Sequence, residues 1–233
     1  MRTWISRRQA IVGLAAAGVI LPQSGRAEVV TRLETPGKAD KVVALTFDAC
    51  ETRTPAFLDT SISDFLTARK IPFTVFACGR FARHNREALA ALARLDLVEI
   101  ENHSMNHDNH MERMDAATVR REVLDAETML KGITGKRTRY FRFPAGNYDA
   151  PALATVESLG YRVVHWSFAS GDPAKTLTPE METAWVLEKT RPGGILIFHI
   201  NGRGWSTGKA LPGIVDTLES RGYRFARLDS VLK

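Results

Sequence analysis

Several things are scarce in this sequence, and each scarcity narrows it. Cysteine occurs only at Cys50 and Cys78, so one disulfide at most is available. No low-complexity block, heptad run or internal repeat is present, and no linker splits the chain after its first segment. The apolar run from Ala10 to Leu21 falls short of the ~20 residues that a bilayer-spanning helix needs. A basic stripe interleaved with aromatics, the footprint of a nucleic-acid surface, is also missing. The formal charge of +6 comes mostly from Arg2, Arg7, Arg8 and Arg26; setting aside those four arginines leaves +2. Nucleic acid is therefore not an expected partner.

What is present begins with that basic start. Paired arginines, an apolar run and small residues ending at Ala27 have the layout of an export signal. The stretch Ser6-Arg7-Arg8-Gln9-Ala10-Ile11 resembles a twin-arginine signal, which implies export in the folded state. Residues 1–27 are thus expected to be a signal peptide, with an uncleaved membrane anchor as the alternative. Residues 28–40 read as a polar tether and 41–233 as one globular domain, since 233 residues with 44% hydrophobic content allow a sizeable core. No membrane span is expected once the signal is removed. The expected location is periplasmic or extracellular, where Cys50 and Cys78 could pair or remain free thiols.

In the domain, short β-rich runs alternate with helical patterns. Strands are expected at Val42 to Phe47, Phe73 to Ala77, Leu97 to Ile100, Tyr140 to Phe143, Tyr161 to Ser167, Ile195 to His199 and Tyr223 to Leu228. A helix is expected from Thr54 as N-cap with Pro55 first, burying Leu58, Ile62 and Phe65. Another opens on Asp115, carries Val119, Val123, Leu130 and Ile133 on one stripe and closes near Gly135. "DAPALATVESLG" and "TPEMETAWVLEKT" repeat the device of an Asp or Thr cap beside a proline. Strand followed by helix, seven times, implies a parallel α/β architecture.

The reactive residues gather on one edge of that map. Asp48, His103 with His107, Arg142, Asp172 and His199 each fall at or just after the end of a strand. The carboxyl ends of parallel strands are where loops from several segments surround one mouth. If "NHSMNH" is helical, His103 and His107 lie one turn apart on one face and can hold a divalent metal; on spacing alone they could equally be surface histidines. His110 and His84 read as solvated residues, and His165 as a packed strand residue.

"TFDAC", "HSMNH", "RFPAG", "SGDP" and "IFHI", in this order and at strand ends, resemble the motifs of the polysaccharide deacetylase domain, also described as NodB homology or carbohydrate esterase family 4. The resemblance covers roughly Lys41 to Leu232. It implies a distorted seven-stranded parallel (β/α) barrel acting as a metal-dependent hydrolase on an N-acetylated glycan. It implies Asp48 as general base, His103 and His107 as metal ligands, and Arg142 as the group positioning the base. His199 becomes the general acid tuned by Asp172, and the backbone N–H at Ala145 an oxyanion donor.

The departures are as informative. The family's second aspartate, a metal ligand, is replaced by Ala49, so a third ligand must come from Glu51, Cys50, water or substrate. Ala145 stands where tyrosine is common, and Pro173 where tryptophan often follows the aspartate. Trp205 could supply a sugar-facing wall instead, or anchor its loop. The expected cofactor is a divalent ion, with zinc first. The alternatives are a glycan-binding protein whose catalysis has lapsed, or a hydrolase of another amide or imide on the same fold.

Overall fold

The computed structural model describes residues 28–34, 40–51 and 56–232. The expected signal peptide, Thr54 and Pro55 lie outside the described residues. The strands are β1 (Val42–Ala49), β2 (Phe73–Ala77), β3 (Val98–Asn102), β4 (Tyr140–Phe141), β5 (Arg162–Val163), β6 (Phe168–Ala169), β7 (Ile195–His199) and β8 (Arg224–Phe225). Seven follow the order β5-β4-β3-β2-β1-β7-β6, and β8 pairs the start of β1; all pairings are parallel. The helices are α1 (Thr60–Ala68), α2 (Gly79–His84), α3 (Arg86–Leu92), α4 (Ala116–Thr134), α5 (Ala150–Ser158), α6 (Pro179–Lys189), α7 (Thr207–Ser220) and α8 (Leu228–Val231). The expected seven-stranded parallel (β/α) architecture is present as a curled half-barrel. Among the described residues no helix is long and apolar enough to cross a membrane.

Strand β1 is buried along its whole length because both of its faces are covered. With a period of two, Val43, Leu45, Phe47 and Ala49 face the helices, packing in one cluster with Ile62, Leu66, Leu211, Ile214 and Leu218. Val42 and Ala44 face inward with Phe76, Tyr140, Val164 and Ile195. Thr46 and then Asp48 share that inward parity, so the strand climbs from an apolar floor to a carboxylate at the mouth.

Three helices follow their sequence signals. Asp115, Asp149 and Thr178 cap α4, α5 and α6 by accepting N–H bonds from Thr118, Ala152 and Met181, and Gly135 ends α4 in the left-handed region. Helix α1 does not. It begins at Thr60 with Asp59 as its cap, because Leu58 and Asp59 donate their N–H groups to Asn85 Oδ1 (3.0 Å) and Ile200 O (2.8 Å), which holds them extended.

Two further expectations need correction. Tyr161 to Ser167 is not one strand: Val164 bonds to Phe141, His165 to Val30 and Ser167 to Ile195, so the run changes neighbours, β5 covers only Arg162–Val163 and β6 begins beyond the run at Phe168. Nor does the segment 28–34 hang free as a tether. Val30 pairs with Val164 and Arg32 with Gly194, while Val30 and Leu33 are buried against the barrel floor. This short segment covers the seam between the two ends of the sheet. Leu33→Ala is therefore expected to cost about 2–5 kcal/mol in chemical denaturation, as for a core leucine; a mere tether would leave stability unchanged.

Candidate active site

The site is built on Arg142, which has no exposed surface. Its Nη1 donates to Asp48 Oδ1 at 2.7 Å, its Nη2 to His165 O at 2.9 Å and its Nε to Val164 O at 3.1 Å. The guanidinium also lies 4.0 Å from the Phe76 ring centroid, a cation–π contact between two fully buried side chains. Three fixed directions thus hold one carboxylate oxygen of Asp48 and leave the other toward the mouth. Burial alone would raise the Asp48 pKa, but the combined fields of His103, Arg142 and His199, with the Arg142 hydrogen bond, hold it below the usual carboxylate range.

His103 and His107 do come together, but not on a helix. The chain from Ser104 to His107 turns through left-handed backbone at both ends (φ 67° and 54°), with His107 N–H donating to Ser104 Oγ at 3.0 Å. The ring centroids end 4.8 Å apart. His103 Nδ1 lies 2.8 Å from Arg142 O; a carbonyl only accepts, so Nδ1 carries the proton and Nε2 presents a lone pair. That Nε2 is buried with no hydrogen-bond partner, 3.4 Å from Asp48 Oδ2, and His107 Nδ1 is buried and unpartnered too. Burial, reinforced by the neighbouring His103, pushes the His107 pKa down to about 3. Two neutral imidazoles with orphaned nitrogens beside a carboxylate fit a divalent cation.

The third candidate ligands separate. Ala49 packs outward in the helix-side core. Glu51 is turned away, held by His84 Nδ1 at 2.7 and 2.9 Å and by the Ala56 N–H at 3.0 Å; His84 is its partner and not a free surface group. Cys50 remains. It is buried, and its Sγ and one ring nitrogen each of His103 and His107 all lie within 4.8 Å of one another. Burial, then the charges of Asp48 and Cys78, push its thiol pKa well up. Both cysteines are free, so the disulfide alternative falls: Cys78 caps α2 and accepts N–H bonds from Glu51 (3.2 Å) and Phe81 (3.5 Å).

Across the mouth, Asp172 organises His199. Its Oδ1 lies 3.0 Å from His199 Nδ1, while its Oδ2 accepts from the His199 backbone N–H (2.6 Å) and Thr207 Oγ1 (3.0 Å). Burial lowers the His199 pKa, but Asp172 outweighs it through hydrogen bond and charge, and the balance is raised above the ordinary histidine range. Gly204 closes this corner, since an added Cβ there would meet His199 O at 2.6 Å and Asp172 Oδ2 at 2.8 Å.

Ala145 is exposed at the mouth in left-handed backbone (φ 54°), unusual for a residue with a side chain. Trp205 is 53% exposed, with Lys175 Nζ 4.8 Å from its ring centroid, a partly open aromatic face. His165 packs as expected, stacked on Trp166, and His110 is an exposed partner of Glu112. The sequence reading missed Glu182, buried on α6 and linked through Thr207 Oγ1 (3.2 Å) toward Asp172; burial and the Asp172 charge push it up to about 7. Its signal was an acid four residues before Val186, on the one stripe of α6 that is buried. Arg203 was missed as well: it is exposed, and its charge reaches His107, His199 and Cys50.

The barrel mouth thus gathers a positioned carboxylate, an Asp–His pair and an imidazole pair with free nitrogens, the group types that hydrolytic chemistry uses. The chain belongs to the polysaccharide deacetylase family, whose model matches residues 35–164. A chitooligosaccharide deacetylase of Azorhizobium caulinodans is 28% identical over 178 residues, covering 70% of this chain and 82% of that one. The fold superposes on a peptidoglycan N-acetylglucosamine deacetylase with a TM-score of 0.78 at 23% identity, covering 87% of this chain and 92% of that one. It also superposes on a family 4 carbohydrate esterase pseudoenzyme of Bacillus anthracis, with a TM-score of 0.76 at 21% identity over 89% and 69% of the two chains.

The His199–Asp172 pairing is testable without substrate. By imidazole NMR, His199 should titrate above the ordinary ~6.5. Asp172→Asn removes the group that raises it while the burial that lowers it remains, so the titration should move to lower pH.

Proposed function

We propose that the protein is an exported hydrolase that uses a divalent metal to remove N-acetyl groups from a polysaccharide or cell-wall glycan. The observation that carries this reading is the convergence of Asp48–Arg142, His103–His107 and His199–Asp172 on one mouth from five separate strand ends. The name of the Azorhizobium relative, a chitooligosaccharide deacetylase, points to the same substrate class.

The residues divide the work as follows. Asp48, ionised and with Oδ2 free of Arg142, takes the proton of the attacking water. His103 and His107 would hold the cation, which when bound acts as a Lewis acid on the acetamido carbonyl. The Ala145 N–H is offered to the developing oxyanion, for which the strained turn keeps the backbone exposed. His199, kept protonated by Asp172, gives its proton to the departing amine. Trp205 offers a face on which a sugar ring can stack.

A second reading, a glycan binder that no longer turns over, is favoured by Ala49. Against it stands the retention of both proton-transfer groups with their tuning partners. Acetate release from acetylated chito-oligomers and peptidoglycan fragments, with added zinc, decides between them. Asp48→Asn and His199→Ala should each lower kcat by about 10²–10⁴ with little change in KM. Oligosaccharide binding with no acetate released from any of these substrates would overturn the hydrolase reading.

A further inference from the structure

The alternation of β1 decides what replaces the absent aspartate. Position 49 points at the helices and is filled by packed apolar groups, so no side chain there reaches the mouth without a change in the strand's course. Cys50, the next residue, is buried on the mouth side with His103 and His107. Glu51 is engaged by His84, and Cys78 by the cap of α2. Among the described residues, the groups of three possible metal donors that come together are Cys50 with His103 and His107, and Cys50 with Asp48 and His199. Cys50 is common to both.

We propose that Cys50 is the third protein ligand of the metal centre, binding as a thiolate and making a His103–His107–Cys50 set with one position left for water or substrate. This rests on the hydrolase reading above and specifies its metal site. In a tetrahedral zinc site the donor atoms stand roughly 3.3–3.6 Å apart, as bond lengths of about 2.0 Å to nitrogen and 2.3 Å to sulfur require. The three donor atoms lie within 4.8 Å of one another, so closing on the ion needs at most a contraction of roughly 1.2–1.5 Å, within reach of side-chain rotation. On binding, the S–H bond breaks, the proton leaves to solvent and the sulfur lone pair forms the metal bond, so charge balances without any oxidant. A nitrogen–sulfur set selects zinc or cobalt over magnesium, calcium and manganese.

The test is spectroscopic. The full chain, stripped with chelator, is titrated with Co²⁺ alone. A thiolate-to-cobalt charge-transfer band in the near ultraviolet should appear, persist in Cys78→Ser and vanish in Cys50→Ser, with affinity lowered at least about 10-fold. Should Cys50→Ser fail to fold, zinc-edge X-ray absorption of the unmutated, zinc-loaded protein serves: the metal's shell should contain one sulfur at about 2.3 Å beside nitrogen at about 2.0 Å. Cobalt binding without the band, a zinc shell without sulfur, or no cobalt binding at all overturns the proposal. Acetate release is assayed separately. Release without the band sinks Cys50 as ligand and leaves the hydrolase reading standing, whereas the band without release supports the ligand and sinks the activity.

Discussion

A guanidinium sealed from solvent keeps its charge only where the chain itself answers its nitrogens, and the three nitrogens of Arg142 are answered by one carboxylate and two main-chain carbonyls. Losing either partner of such a buried pair costs about 3–5 kcal/mol, because the other charge is stranded. The pair fixes more than stability. It sets which oxygen of Asp48 faces the mouth, and the carbonyl of Arg142 itself fixes the His103 tautomer at 2.8 Å. One residue thereby orients both the candidate base and a candidate metal ligand.

The second half of the site is a separate assembly with the same logic. Asp172 spends one oxygen on the His199 imidazole and the other on the backbone N–H and Thr207, so ring and strand end are pinned together. The opposite displacements keep Asp48 ionised and favour a protonated His199 over a common range of pH. Glu182 extends this half into α6, a buried acid reached only through Thr207.

Much of this was legible in the chain because strand ends and helix caps are written locally. Asp115, Asp149 and Thr178 announce their helices, and the apolar runs before Asp48 and His199 announce theirs. What escaped was written by distant partners. Thr54 and Pro55 carry a cap signal, yet contacts with Asn85 and Ile200 hold Leu58 and Asp59 outside the helix, which starts at Thr60. The polar look of residues 28–40 hid Val30 and Leu33, whose burial depends on a seam that no local pattern reveals. His103 and His107 meet through a strained turn and not through helical spacing, so their proximity arises from a geometry other than the one expected. Glu182 and Arg203 act only across the fold and carry no motif.

The anchoring of Arg142 also bears on how such a site diversifies. Two of its three bonds fall on the oxygens of Val164 and His165, atoms that every amino acid possesses. The hydrogen bonds that hold Asp48 in place therefore do not depend on which side chain position 165 carries, and the rim there can change over evolutionary time without loosening the anchor beneath it.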